Sequence, residues 1–192
     1  MTFENKLPAG YETCTVDLDA DKKLKIKIYA ASGAAAAVLI VLGCLIKDIS
    51  LLFDAAGAFA LIIRFILIVL IIAASLIGQE YLKCLILGRL TSKPARVVRG
   101  RLSAWIEYKC WLDRKSYAVM SLAPAAAVCL VMLLLMLILP DKLFWQCYVI
   151  FTVNLAGAAG DVYIAYRLFR EKREVRVKNE GYNILIATEK KN

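Results

Sequence analysis

The sequence has no histidine among its 192 residues, and this absence excludes several common kinds of active site. Without an imidazole the chain has no Ser-His-Asp triad, no Cys-His dyad and no zinc or haem site with a histidine ligand. The sequence also lacks a C-x-x-C pair: its six cysteines are scattered, several of them in apolar segments where cysteine behaves as a small hydrophobic residue. We therefore expect free structural thiols and no disulfide scaffold. The polar first 25 residues also give no indication of a cleavable signal peptide.

Long apolar runs are what the sequence does have. Hydrophobic residues make up 61% of the chain and the mean hydropathy is +0.65, although 21% of the residues are charged. Apolar and charged residues must therefore be segregated, which is typical of a multi-pass membrane protein. We predict an all-α membrane fold with four transmembrane helices, a small β-like insert and a short β-like tail. The predicted transmembrane domain is 28–168, with spans at about 28–46, 56–88, 117–139 and 143–168.

Three polar segments flank or interrupt these spans. Alternating apolar and polar residues in the insert and the tail predict short strands, and a hairpin is expected in the tail near Asn179. Three aromatic residues of the insert, Trp105, Tyr108 and Trp111, are expected to anchor it in the membrane interface. The polar segments are the N-terminal segment 1–27, the basic insert 89–116 and the C-terminal tail 169–192.

The distribution of lysine and arginine predicts the orientation. From the N-terminal segment through the three connections to the tail, the counts are 5, 1, 8, 1 and 8, where the last count begins at Arg167, at the end of the fourth span. Basic residues accumulate on the cytoplasmic side, so this alternation predicts a multi-pass protein of the cell membrane with both termini in the cytoplasm. The net charge of +9 is then explained by loops that lie against an anionic lipid bilayer. We expect no nucleic-acid partner.

Ionisable residues inside the apolar runs are the candidate functional residues, because a charge at membrane depth is costly. They are Glu80 and Lys83 in the second run and Asp161 in the fourth, with Gln79 and Asn154 as neutral companions. Glu80 and Lys83 are three residues apart and share one side of a helix. Both runs place their charges about two turns from the predicted cytoplasmic boundary, so the three could meet. Such a polar core would either fix the helix register or form a ligand-binding or catalytic centre.

The segment Gln79-Glu80-Tyr81-Leu82-Lys83 looks like a degenerate H-E-x-x-H motif. It is followed by a basic β-like insert, a helix with Ser121-Leu122-Ala123-Pro124, then Asn154 and Gly160-Asp161, and a β-like tail. This order resembles the putative zincin peptidase family of small bacterial membrane proteins, which is similar in layout to the site-2-protease type of intramembrane metalloprotease. The resemblance covers about residues 20–187.

The resemblance implies a zinc site in which two histidines bind the metal, a glutamate activates water and an aspartate completes the ligands. Glu80 matches the general base and Asp161 the last ligand, whereas Gln79 and Lys83 stand at the histidine positions. A protonated lysine has no lone pair to offer and repels Zn²⁺. We therefore predict that zinc is absent and that Lys83 neutralises the two carboxylates in its place. A site made of Glu80, Asp161 and Cys84 is the alternative.

The expected function is that of an inactive, protease-like integral membrane protein, with vestigial motif positions and no catalytic residue. Its partner would be a membrane peptide or another membrane protein, and the sequence has no signature of a particular oligomeric state. Two alternatives remain open. One is an active membrane hydrolase with an atypical site, and the other is a small transporter that uses Glu80, Lys83 and Asp161 as a polar relay.

Overall fold

The computed structural model describes residues 3–4, 7, 10–17, 21–54, 57–91, 96–99, 104–108, 110–180 and 183–189. The chain forms two compact units. The first unit contains residues 1–28, 79–124 and 160–192, and the second contains residues 29–78 and 125–159.

Six α-helices and one 3₁₀ turn are present among the described residues. Asp21 caps the first helix, because its Oδ1 accepts hydrogen bonds from the backbone N–H groups of Lys23 and Leu24. This cap explains why the helix begins six residues before the predicted apolar run. The helices are α1 (Lys22–Ile46), α2 (Ser50–Phe53), α3 (Ala58–Thr91), α4 (Arg114–Ile138), α5 (Phe144–Gly157) and α6 (Ala159–Arg170), and the 3₁₀ turn is Asp141–Leu143.

In the part of the chain that the structure describes, four helical segments are long and apolar enough to cross a membrane: Lys22–Ile46, Ala58–Thr91, Arg114–Ile138 and Asp141–Arg170. In the most apolar 18-residue stretch of α1, only 6% is buried within the protein, and the corresponding stretch of α3 has the same value. Side chains such as Leu137 and Phe59, which are 82% and 77% exposed, therefore need lipid around them. The predicted all-α membrane fold with small strand elements is confirmed. The fourth segment is divided, since α5 ends at Gly157 and α6 begins at Ala159.

The described residues of the first unit include seven strands, which form two antiparallel sheets. A five-stranded sheet has the order β1-β5-β6-β7-β2, and β3 pairs with β4 in a separate two-stranded sheet. The hairpin expected in the tail is confirmed by the pairing of β6 with β7. The strands are β1 (Phe3–Glu4), β2 (Tyr11–Asp17), β3 (Arg96–Arg99), β4 (Ala104–Glu107), β5 (Trp111–Asp113), β6 (Val175–Glu180) and β7 (Asn183–Glu189).

The N-terminal segment differs from the simple polar segment that was expected. Strand β2 pairs along its full length with β7, from Tyr11 opposite Glu189 to Asp17 opposite Asn183. The pairing joins the two ends of the chain at one edge of the sheet. The pairing satisfies backbone N–H and C=O groups of both strands. Such pairing does not depend on an apolar run in either strand.

The core of the first unit lies between this sheet and the helices. Leu112 and Val177, paired across β5 and β6, are completely buried, and Leu87, Ile164 and Leu168 of α3 and α6 pack against the same cluster. The expectation that Tyr108 and Trp111 anchor the insert in the membrane interface is wrong, since they are only 2% and 7% exposed. Burial in the core gives these rings more apolar contact than the interface would. The side chain of Trp105 lies outside the described residues.

In the second unit, an aromatic cluster holds α5 against the first helix. Phe144, Trp145 and Tyr148 are in ring contact with one another. Trp145 Nε1 donates to the carbonyl of Asp48, and the Tyr148 hydroxyl donates to the carbonyl of Leu39. These bonds satisfy both aromatic donors at backbone acceptors, as buried Tyr and Trp require.

Candidate functional site

Two helices of the first unit supply the ionisable groups of the candidate site. Glu80 and Lys83 lie on α3, one turn apart and on the same side. Asp161 lies in the first turn of α6, where the helix N-terminus favours a negative charge. Asp161 has this position because α5 ends at Gly157 and α6 begins at Ala159, two residues before it.

The Lys83 ammonium lies between the two carboxylates. Its Nζ is 2.8 Å from Glu80 Oε1 and 3.1 Å from Asp161 Oδ2, so one lysine forms an ion pair with both. The side chains of Lys83 and Glu80 are 13% and 17% exposed, and that of Asp161 is 31% exposed. We call Glu80, Lys83 and Asp161 the ion triad. Partial burial strengthens its hydrogen bonds and makes an unpaired member costly.

The triad combines a local and a distant contact. Glu80 and Lys83 would share a helix face in any amphipathic helix, whereas Lys83 and Asp161 are 78 residues apart in the sequence. Tyr117 of α4 is a further neighbour, because it is 3% exposed and lies within electrostatic range of both carboxylates. Sequence reasoning missed Tyr117, since a tyrosine near the start of an apolar run has no signal that separates it from an interface residue.

Asn154, which was predicted as part of the same polar core, belongs to the second unit. Its Oδ1 accepts a hydrogen bond of 3.1 Å from Ser75 Oγ, and its Nδ2 donates to the carbonyl of Ile150 at 2.7 Å. Both of these partners lie in the second unit. Gln79, the neighbour of Glu80, is 9% exposed and lies in the first unit.

Comparison with known proteins identifies a family for the part of the chain that contains the ion triad. A family model described as "Putative zincin peptidase" matches residues 79–176, which is about half of the chain. The chain belongs to this family. The match begins at Gln79 and includes all three members of the ion triad. No curated protein and no solved structure matches the chain.

The family description implies a zinc ion, and the residues of this site do not fit one. A zinc site needs three or four side chains with free lone pairs, but the group between Glu80 and Asp161 is an ammonium that donates to both. Among the described residues, no three His, Cys, Asp or Glu side chains lie close enough together to hold a metal. This includes Cys84, which is partly buried one turn after Glu80. A zinc ion would have to displace Lys83 and would then have two protein carboxylates as ligands.

Proposed function

We propose that this member of the zincin peptidase family is a metal-free, inactive membrane protein that binds an extended peptide and does not cleave it. The contact of one lysine ammonium with both motif carboxylates carries the proposal. With Lys83 paired, Glu80 is a hydrogen-bond acceptor for a fixed cation, and it is poorly placed to take a proton from water.

The charges of the triad support a binding role. The triad contains two carboxylates and one ammonium, so negative formal charges exceed positive ones. Asp161 is the most exposed member, at 31%, and a carboxylate has more lone pairs than one lysine uses. Its remaining acceptor capacity suits the backbone N–H groups of a peptide.

The two-stranded sheet supports a peptide ligand. Within the described part of the chain, β3 and β4 pair only with each other, so the outer edge of β3 has no partner strand among those residues. An extended peptide can add to such an edge as a further strand, with main-chain hydrogen bonds supplying affinity. The family match includes this sheet.

The proposed location is the cell membrane, with both termini in the cytoplasm. The four candidate spans and the alternation of basic residues between successive connections support this orientation. In that orientation the ion triad and both sheets lie toward the cytoplasmic side.

Zinc content tests the metal-free part of the proposal. Elemental analysis of the wild-type protein, purified in detergent with added zinc and then desalted, should give well under one zinc per chain. The Gln79→His/Lys83→His double variant restores the H-E-x-x-H spacing and should bind about one zinc per chain. Stoichiometric zinc in the wild type that is lost in Glu80→Ala would overturn the proposal.

Peptide binding is tested separately, in nanodiscs, with photo-crosslinkable extended hydrophobic peptides. The expected result is crosslinking to residues 96–107 with no peptide cleavage, and weaker crosslinking in Val97→Pro, which removes a backbone donor from β3. Cleavage that disappears in Glu80→Gln would instead show an active hydrolase. Ion flux in proteoliposomes that is lost in Asp161→Asn would show a transporter.

A further inference from the structure

A second polar site lies in the first unit, away from the ion triad. A cavity of about 200 Å³, partly open at the surface, is lined by the end of α6, the following residues, and strands β2, β6 and β7. Leu168, Val175 and Ile186 form its apolar floor, and all three are buried. Polar groups surround this floor, so the cavity can hold a ligand with a charged end.

The charges around the cavity do not cancel. Arg173 Nε pairs with Glu171 Oε1 at 3.1 Å and Arg173 also donates to the carbonyl of Glu189, so these two side chains neutralise each other. Arg167 also lines the cavity, and within the described residues its guanidinium has no carboxylate partner. Among the described lining residues, the exposed guanidinium of Arg167 is therefore the uncompensated charge, and its planar donors match the oxygens of a phosphate.

The position of the cavity at the end of the fourth candidate span indicates the source of such a phosphate. Arg167 lies in the last turn of α6, and α6 ends the fourth candidate span at Arg170. Tyr166 and Phe169, on either side of it in the sequence, are 60% and 51% exposed. Exposed aromatic residues at the end of a span are typical of the headgroup level of a bilayer. The cavity thus lies at the depth of lipid phosphates.

We propose that this cavity binds the phosphate of an anionic phospholipid headgroup, with Arg167 as its principal contact. One phosphodiester carries one negative charge, which matches the single uncompensated guanidinium. The Thr188 hydroxyl, which also lines the cavity, provides a further donor. This proposal does not depend on the absence of zinc or on peptide binding, because no member of the ion triad lines the cavity.

The test compares lipid retention by two variants of the full chain. Arg167→Gln removes the guanidinium from the cavity, and Arg170→Gln removes an equal charge from the same helix end without touching the lining. In nanodiscs that contain phosphatidylcholine with a minor fraction of phosphatidylglycerol, the wild type should retain phosphatidylglycerol. Arg167→Gln should weaken retention by about tenfold, and Arg170→Gln by less than about twofold. Equal losses in both variants would show general attraction to the bilayer and would overturn the proposal.

A second measurement needs no change at Arg167. Cys14 lines the same cavity and is exposed, so bound lipid should slow its reaction with maleimide, as measured by peptide mass spectrometry. Protection by phosphatidylglycerol and none by phosphatidylcholine is the expected result. Equal labelling with both lipids contradicts the proposal. Protection by inorganic phosphate alone, without protection by phosphatidylglycerol, would assign the cavity to a soluble phosphate and would also overturn it.

Discussion

The two units stabilise buried polar groups in different ways. In the second unit, polar side chains donate to backbone carbonyls: Ser32 to Ala156, Tyr148 to Leu39, and Arg64 to Leu51 and Leu52. In the first unit, Lys83 pairs with two carboxylates near the start of the family match. The ion pair of the second unit, Lys47 with Asp141, lies at the surface, where the Asp141 side chain is 72% exposed. Among the described residues, a partly buried ionic contact therefore distinguishes the first unit from the second.

The largest loss of stability is expected when Lys83 is replaced. Lys83→Met leaves Glu80 and Asp161 facing each other without a cation, which should lower the free energy of unfolding by about 3–5 kcal/mol. Denaturant unfolding in detergent measures it. Lys47→Met is the matched control in the second unit, because Lys47 forms an equally short ion pair with Asp141, which is 72% exposed; its expected cost is at most about 1 kcal/mol.

A second variant tests the electrostatic role of the triad even if Lys83→Met does not fold. A triple variant, Lys83→Met with Glu80→Gln and Asp161→Asn, removes all three charges together and should recover most of the lost stability. A triple variant no more stable than the single one would show that packing of the lysine stem is what matters. It would contradict the electrostatic role of the triad.

A smaller effect is expected at the helix contact of the second unit. A Cβ at Gly43 would lie 2.5 Å from Tyr148 Cε1 and 3.0 Å from Trp145 Cη2, so Gly43→Ala should cost about 1–3 kcal/mol. Gly33 lies on the same helix with nothing within 4 Å of its added Cβ. Gly33→Ala should therefore be neutral or slightly stabilising, and thermal unfolding of both variants checks the difference. Equal destabilisation by the two substitutions would exclude the close contact as the cause.

The smallest effects are expected from two buried tyrosines, and their signs should differ. The Tyr148 hydroxyl donates to Leu39, so Tyr148→Phe should cost about 1 kcal/mol. The Tyr108 hydroxyl is buried without a hydrogen-bond partner among the described residues. Burial also raises the pKa of Tyr108 well above its ordinary value, so the phenol stays neutral. Tyr108→Phe should be neutral or stabilising by up to about 1 kcal/mol, and a cost equal to that of Tyr148→Phe would contradict this difference.

Several elements could be predicted because their signals are local. The four apolar runs coincide with helices since a bilayer requires a fixed length of apolar helix, and the β6–β7 hairpin follows from alternation around a turn. The pairing of β2 with β7 could not be predicted, because an edge strand needs only backbone groups that any polar sequence has. The burial of Tyr108 and Trp111 was missed because an aromatic residue suits a core and a membrane interface equally well.

The candidate site was predictable to a similar degree. Residue types alone indicated that Glu80 and Asp161 are costly in an apolar run and that Lys83 is the nearest cation. The hydrogen bonds of Asn154 with Ser75 and Ile150 were not predictable, because no local pattern indicates which neighbouring side chain or carbonyl a buried amide will contact.

The sequence by itself determined which segments have the composition to enter a membrane and which charges would need partners there, because both follow from the cost of transferring side chains out of water. It also determined that no imidazole could hold a metal. Only the tertiary structure decided that Lys83 meets Asp161 as well as Glu80, that the two ends of the chain pair, and that Arg167 borders a cavity. Those contacts join residues far apart in the chain, and their distances depend on how helices and strands pack, which no local pattern specifies.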